Sequence, residues 1–147
     1  MQNLKFKISS DFCKNYQSQY RKSYHLENVE TIMEIQAAVE KILKISPSVR
    51  VVSVCDLSGK LVFSERSKKV HILVSKKQSL ASLKAAANDW KQRKKLAKTL
   101  GACKYVVAEY DNVKRIVIGA GKNHIMYVTT SASFDHNKVI RKIRSFK

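Results

Sequence analysis

The order in which helical and strand-like segments follow one another constrains the fold of this chain more than any other feature. Residues 28–45 carry apolar side chains at helical spacing, and Pro47 ends the helix that this spacing predicts. A β-branched segment lies at 49–54, and a turn separates it from a second strand-like segment at 60–64. The first part of the chain therefore predicts a helix followed by a β-hairpin.

The second part of the chain begins with its longest predicted helix. Ser75 and Gln78 have the spacing of a capping box, and Gly101 is a natural residue just beyond a helix end. Asp135 can cap a final helix. Between these two helices we predict a meander of strands at 105–108, 115–118 and 124–130. The complete order is helix, two strands, helix, three strands, helix, which predicts an α+β domain.

Length and composition indicate one domain with an additional arm. The chain has 147 residues, 44% of them hydrophobic, and no apolar run approaches the length of a membrane span. Every element of the predicted domain lies in 28–147, so residues 1–27 are expected to form a basic, aromatic-rich helical arm without which the domain still folds. Cys13, Cys55 and Cys103 are odd in number and widely spaced, which is typical of reduced thiols in a cytoplasmic protein.

Several sequence strings resemble a known family. They are Val54-Cys-Asp-Leu-Ser-Gly-Lys60, Trp90-Lys-Gln-Arg-Lys-Lys-Leu96, Lys104-Tyr-Val-Val-Ala-Glu-Tyr110, Asn123-His-Ile-Met-Tyr-Val-Thr-Thr130 and Asp135-His136. With the element order, they resemble uncharacterised small archaeal proteins related to the Roadblock (dynein light chain) fold, over residues 50–146. The resemblance implies a Roadblock/profilin-like five-stranded antiparallel sheet with the middle helix on one face. It also implies a non-enzymatic domain that scaffolds or regulates partners, often as a homodimer and often near small GTPases.

Positive charge is concentrated on the middle helix. The whole chain has 29 Lys and Arg against 11 Asp and Glu, a net charge of +18, and the segment 75–100 has eight cations and one acid, Asp89. At 100° per residue, five of these cations share one flank, away from the apolar side with Trp90: Lys77, Lys84, Lys91, Lys95 and Lys98. This flank is either a solvated lysine face or a contact for a polyanion, which would relieve the repulsion. The same repulsion disfavours a homodimer in which two middle helices meet.

The N-terminal arm combines aromatic and basic residues. In residues 10–26 the aromatic side chains recur every four residues, with cations between them: Phe12, Lys14, Tyr16, Tyr20, Arg21, Lys22 and Tyr24. On a helix they would form one stripe, which either docks as part of a core or stacks on exposed bases.

Two functional hypotheses follow from these patterns. The first is a basic nucleic-acid-binding accessory protein, with RNA or a ribonucleoprotein particle favoured over DNA, and the second is a Roadblock-like regulatory scaffold that binds an acidic protein partner or small GTPase. Charge leads us to expect the first. Its contacts would come from the five lysines of the middle helix, from Lys14, Tyr16, Tyr20, Arg21 and Lys22 of the arm, and from Lys138, Arg141, Lys142, Arg144 and Lys147 at the C-terminus.

No residue pattern supports catalysis or a bound metal. The string Gly119-Ala-Gly-Lys122 lacks the spacing of a phosphate loop and is expected to form a hairpin turn, and the four histidines lack metal-ligand spacing. We therefore expect no enzyme activity, no cofactor and no metal. We also expect no membrane partner, because no predicted helix pairs a basic face with exposed bulky apolar residues.

Overall fold

The described residues form a five-stranded antiparallel sheet with helices on both of its faces. The structure is a computed structural model and describes residues 27–146, apart from the side chains of residues 27–32. The elements in chain order are α1 (Glu27–Leu43), β1 (Val49–Asp56), β2 (Leu61–Arg66), α2 (Lys76–Leu100), β3 (Tyr105–Glu109), β4 (Val113–Gly119), β5 (His124–Ser131) and α3 (His136–Arg144). This order confirms the predicted α-ββ-α-βββ-α arrangement. The packing reported below is that of the unit beginning at Glu34.

The sheet has the strand order β2-β1-β5-β4-β3, and every neighbouring pair is antiparallel. The β1–β2 hairpin and the β3–β4–β5 meander join because the first strand of the hairpin pairs with the last strand of the meander. Val52 lies opposite Val128, and Cys55 lies opposite Ile125. The five-stranded antiparallel sheet is therefore confirmed.

Element ends differ from the predicted ones where hydrogen bonding decides them. Helix α1 ends at Leu43 instead of residue 45, because the amide of Ile45 donates to Ile42 O (3.1 Å) and forms a turn. Strand β4 is longer than the predicted 115–118, since cross-strand pairing with β5 continues from Val113 to Gly119. Side-chain periodicity alone does not reveal either hydrogen-bonding pattern.

Helix α2 covers one face of the sheet. Its buried residues are Leu83, Ala87 and Trp90, which pack with Cys55 and Ile125 in one apolar cluster. Burial, and then the neighbouring charge of Asp56, raises the pKa of the Cys55 thiol to about 12. Cys55 is therefore a protonated, apolar part of the core, as its position in a strand predicts.

Helices α1 and α3 cover the opposite face. Val106 of β3 packs against the α2 cluster, so the neighbouring residue in the strand, Tyr105, points to the other side. There the Arg144 guanidinium of α3 lies 5.7 Å from the Tyr105 ring centroid. Lys41 Nζ of α1 lies 5.5 Å from the ring centroid of Phe146, just beyond α3, so both helices are on this side.

The termini of α2 and α3 are capped as the sequence predicts. Ser75 Oγ accepts from Gln78 N at 3.1 Å, and Gln78 Oε1 accepts from Ser75 N at 2.9 Å, which completes the capping box. Gly101 follows α2 with a φ of 83°, in the region that favours glycine. Asp135 accepts from Asn137 N at 3.0 Å and begins α3.

Trp90 is the largest side chain that α2 buries, and it is only 6% exposed. Replacement of Trp90 by alanine should lower the free energy of unfolding by about 3–5 kcal/mol, because large-to-small aromatic changes remove contacts and leave a cavity. Urea unfolding measures this loss. Leu100→Ala is the control, since Leu100 is 77% exposed on the same helix and should change stability by less than about 0.5 kcal/mol. Equal losses in the two variants would contradict the packing described here.

Candidate functional site

The burial of one side of α2 determines where its lysines point. Because Leu83, Ala87 and Trp90 face the sheet, the flank with the predicted contact lysines, whose mean direction lies about 90° around the helix, points sideways and not toward the sheet. All five lysines predicted for this flank are exposed: Lys77, Lys84, Lys91, Lys95 and Lys98. We call this set the lysine flank.

The lysine flank is not neutralised by acidic residues. The ion pair between Lys114 Nζ and Glu109 Oε1, at 3.5 Å, lies on the β3–β4 hairpin and involves none of the five flank lysines. Asp89 is the one acid on α2, and at 100° per residue it falls on the other side of the helix from the lysine flank. The flank therefore presents its full charge to solvent.

A groove of about 390 Å³ runs beside the lysine flank, between α2 and the β1–β2 turn. Two lysines of the flank form part of its wall, and three other lining residues are small. The complete lining is Leu57, Ser58, Ala81, Lys84, Ala85, Asn88 and Lys91. Small side chains on α2 allow another chain segment to approach the helix backbone closely. The groove can therefore receive an extended or helical segment whose acidic residues reach the lysines.

The β1–β2 turn that borders this groove is rigidly hydrogen-bonded. Asp56 Oδ1 accepts from Ser58 N (2.9 Å), from Ser58 Oγ (2.6 Å) and from Lys60 N (3.0 Å). Burial alone would raise the pKa of Asp56, but these hydrogen bonds, together with the charge of His124, lower it below its ordinary value. The ionised carboxylate therefore stabilises the turn.

Gly59 lets the same turn touch α2. Its φ is +86°, and a Cβ at this position would lie 2.6 Å from the Cα of Lys84. No side chain fits into that space, since the nearest atom belongs to the helix backbone. Gly59 thus sets the distance between the turn and the lysine flank.

Substitution of Gly59 tests this close approach. Gly59→Ala should cost at least about 2 kcal/mol of unfolding free energy, because it adds a backbone clash to an unfavourable positive φ. Gly121→Ala is the matched control: its φ is +75°, but nothing lies within 4 Å of the added carbon, so only the conformational cost of about 1–2 kcal/mol remains. Denaturant titration compares the two, and a smaller loss for Gly59→Ala than for Gly121→Ala would exclude the contact.

The lowered pKa of Asp56 makes its contribution to stability depend on pH. A carboxyl group whose pKa is lowered by folding stabilises the protein above its unfolded pKa of about 3.9, and this stabilisation is lost as the pH falls through the folded value. Asp56→Ala should therefore lower Tm near neutral pH, and its difference from the wild type should shrink in acid. Thermal melts over a pH series measure this, and a constant difference at every pH would contradict it.

The other predicted cations do not join the lysine flank. Lys138, Arg141, Lys142 and Arg144 are exposed on α3, which lies on the opposite face of the sheet. Two of them lie near aromatic rings, Lys138 at 5.8 Å from the Phe134 centroid and Arg144 near Tyr105. The remaining predicted site residues lie outside the described residues: Lys14, Tyr16, Tyr20, Arg21, Lys22 and Lys147. The sheet therefore divides the predicted surface into two separate basic areas.

The sequence did not predict that the β1–β2 turn forms one wall of the groove. A turn string such as Asp56-Leu-Ser-Gly59 predicts a hairpin but does not say which helix it will touch. The signal that was available is the glycine itself, because a turn glycine can indicate close approach of another backbone.

The described part of the chain offers neither a metal cluster nor a membrane-spanning helix. No group of three His, Cys, Asp or Glu side chains there is arranged to hold a metal ion. Neither α2, the longest helix at 25 residues, nor any other described helix is apolar enough over sufficient length to cross a membrane.

Solved structures resemble this fold closely although their sequences differ. The gliding protein MglB from Thermus thermophilus superimposes with a TM-score of 0.63 at 15% identity, over 78% of this chain and 82% of that one. MglB from Myxococcus xanthus gives 0.62 at 17% identity, over 82% and 84% of the two chains. A Roadblock/LC7 domain from Streptomyces avermitilis gives 0.59 at 12% identity, over 73% and 86%. No protein-family model and no curated protein sequence matches the chain.

These similarities define the class of the protein by its fold. The five-stranded sheet with three helices in the order α-ββ-α-βββ-α is a Roadblock-like fold, and the resemblance of residues 50–146 to that fold is confirmed.

The prediction of a nucleic-acid-binding protein associated with RNA or a ribonucleoprotein particle is wrong. The solved structures named above are MglB and Roadblock-domain proteins, and none of their names refers to nucleic acid, which fits the second hypothesis better. The physical reason for the error is that net charge attracts every polyanion and does not distinguish nucleic acid from an acidic protein.

Proposed function

We propose that this chain is a non-enzymatic regulatory scaffold that binds an acidic protein partner through the lysine flank and the adjoining groove. A small GTPase is the partner class that the Roadblock resemblance implies. The observation that carries the proposal is that none of the five flank lysines has a carboxylate within 4 Å among the described residues. An acidic partner supplies the missing counter-charge.

The groove supports a protein partner in particular. Ala81 and Ala85 on α2 and Leu57 on the turn offer apolar contact, while Lys84 and Lys91 stand beside them. A surface that combines apolar contact with one sign of charge complements an amphipathic acidic segment, in which apolar and acidic side chains are close together.

Charge also bears on self-association. Two copies that met through their lysine flanks would bring like charges together, which costs free energy unless an anion lies between them. We therefore favour a heterologous acidic partner at this surface over a second copy of the chain.

The sequence supports proposals about the cellular compartment and the relatives of the protein. The reduced cysteines favour the cytoplasm, and the strings shared over residues 50–146 favour a relationship with the small archaeal Roadblock-like proteins.

Removal of charge from the lysine flank tests the proposal. Lys84, Lys91, Lys95 and Lys98 are changed together to glutamine, which is nearly as good a helix former as lysine, so the fold should persist and stability should rise slightly. Binding to purified acidic small GTPases, in their GDP- and GTP-bound forms, is measured by calorimetry at several salt concentrations. The wild-type affinity should fall with added salt, and the variant should bind at least about tenfold more weakly, with a smaller salt dependence.

The control removes the same number of charges elsewhere. Lys138, Arg141, Lys142 and Arg144 are changed to glutamine on α3, on the other face of the sheet, and this variant should bind as the wild type does. Equal weakening in both variants would mean that net charge alone attracts the partner, and an unchanged affinity in the α2 variant would exclude the lysine flank as the contact.

A further inference from the structure

The connection between β2 and α2 exposes aliphatic side chains between two pairs of lysines. Ile72 is 67% exposed and Leu73 is 60% exposed, and they are neighbours in the chain. Exposed apolar residues next to one another are unfavourable in water and commonly mark an interaction site. We call residues 68–77, which read Lys-Lys-Val-His-Ile-Leu-Val-Ser-Lys-Lys, the aliphatic loop.

Both ends of the aliphatic loop are held by hydrogen bonds, so its middle is presented at a defined place. At the β2 end, Ser67 N donates to Arg50 O (2.8 Å), and Arg50 Nη2 donates to His71 O (3.0 Å). At the other end, the capping box of Ser75 and Gln78 joins the loop to α2. Ile72 and Leu73 lie between these two anchored ends.

The charged side chains within the aliphatic loop are all lysines. Lys68 and Lys69 precede the apolar residues, Lys76 and Lys77 follow them, and all four are exposed. The sequence has no Asp or Glu between Glu65 and Asp89. The loop therefore has an aliphatic centre with a cation pair on each side.

This arrangement fits a lipid surface better than a protein. Residues 68–77 do not line the groove beside the lysine flank, and Ile72 and Leu73 leave most of their surface exposed. A bilayer interface accepts projecting aliphatic side chains without a matching pocket, and anionic headgroups attract lysines at its surface. Lysine side chains can also extend toward the headgroups while apolar neighbours go deeper.

We propose that the aliphatic loop binds the surface of an anionic membrane, with Ile72 and Leu73 entering the interfacial region and the four lysines contacting acidic headgroups. The expectation that no membrane partner exists considered only helices, whereas this contact is formed by a loop. The inference goes beyond the proposed protein contact and uses a different part of the molecule, except that Lys77 belongs to both the loop and the lysine flank. Lys84 to Lys98 lie about 10–30 Å farther along α2 than Lys77, beyond a Debye length of about 8 Å at physiological salt.

The test is sedimentation of the full chain with vesicles. Phosphatidylcholine vesicles containing roughly a quarter phosphatidylserine should bind the protein, and vesicles of phosphatidylcholine alone should not. Replacement of Lys68, Lys69, Lys76 and Lys77 by glutamine should weaken binding at least about a hundredfold. Ile72→Ser with Leu73→Ser should weaken it about tenfold, because the apolar contribution is lost while every charge remains.

Two matched variants show whether vesicle binding depends on where in the fold the aliphatic or charged side chains are removed. Leu96→Ser with Leu100→Ser removes two aliphatic side chains that are 54% and 77% exposed on α2, and it should leave vesicle binding unchanged. The glutamine variant of Lys84, Lys91, Lys95 and Lys98 removes as many charges as the loop variant, and it should retain most of the binding. Since this last variant is also the one that should lose the protein partner, the two proposals can fail independently.

Insertion of the aliphatic loop into the membrane interface is measured separately, by tryptophan fluorescence. Leu73→Trp places a fluorophore at the loop, and its emission should shift to shorter wavelength with anionic vesicles, while the wild type, whose Trp90 is buried, should show no shift. Absence of the shift, or full binding by the Ile72→Ser, Leu73→Ser variant, would overturn insertion and leave only charge attraction. If the wild type does not bind vesicles and the Ile72→Ser, Leu73→Ser variant no longer binds the acidic protein partner, the loop is a protein contact and the membrane proposal is wrong.

Discussion

The packing of Trp90, Leu83 and Ala87 against the sheet is the interaction on which the rest of the described structure depends. It fixes the rotation of α2 about its own axis, and polar contacts on both sides reinforce that rotation. Arg115 Nη1 of β4 donates to Ser82 Oγ at 3.2 Å on one side, and Lys94 Nζ donates to Lys122 O at 2.7 Å near the β4–β5 turn. A rotation of α2 by one residue would bury a lysine and expose Trp90.

Which partners the positive charge can contact depends on this orientation of α2. A net charge of +18 spread evenly would favour solubility and weak attraction to any polyanion. Instead, α2 places five cations beside a groove, and α3 places four on the far side of the sheet. The two sets are too well separated by the sheet to act as one surface, so each is available to a different partner.

Most of the fold could be predicted from the sequence because it depends on local signals. Helix periodicity, the capping box at Ser75 and the turn glycines each act within a few residues, and the element order then leaves few arrangements. The pairing of β1 with β5 could not be derived locally, since those strands are about seventy residues apart, and the family resemblance implied a five-stranded antiparallel sheet without a strand order.

The candidate site was predicted only in part. The exposure of the lysine flank follows from helical geometry, and it is confirmed. The groove depends on contact between Gly59 and Lys84, which are distant in sequence, and the choice between an RNA and a protein partner depends on shape as well as charge. The aliphatic loop has the composition of a buried strand, Val-His-Ile-Leu-Val, and its exposure follows from its place as a connection after the edge strand β2.

The contact between Gly59 and Lys84 is closest at the helix backbone and includes the first two side-chain carbons of the lysine, Cβ and Cγ, but not its charged end. As a result, the charge at position 84 can be replaced without disturbing how the turn meets the helix. A lineage carrying this fold could therefore exchange its lysines for acidic or neutral residues, and so change its partner, while the glycine stays in place. In such a molecule, substitutions of the outward-pointing side chains would be tolerated and substitutions of the glycine would not, although the two positions meet at one contact.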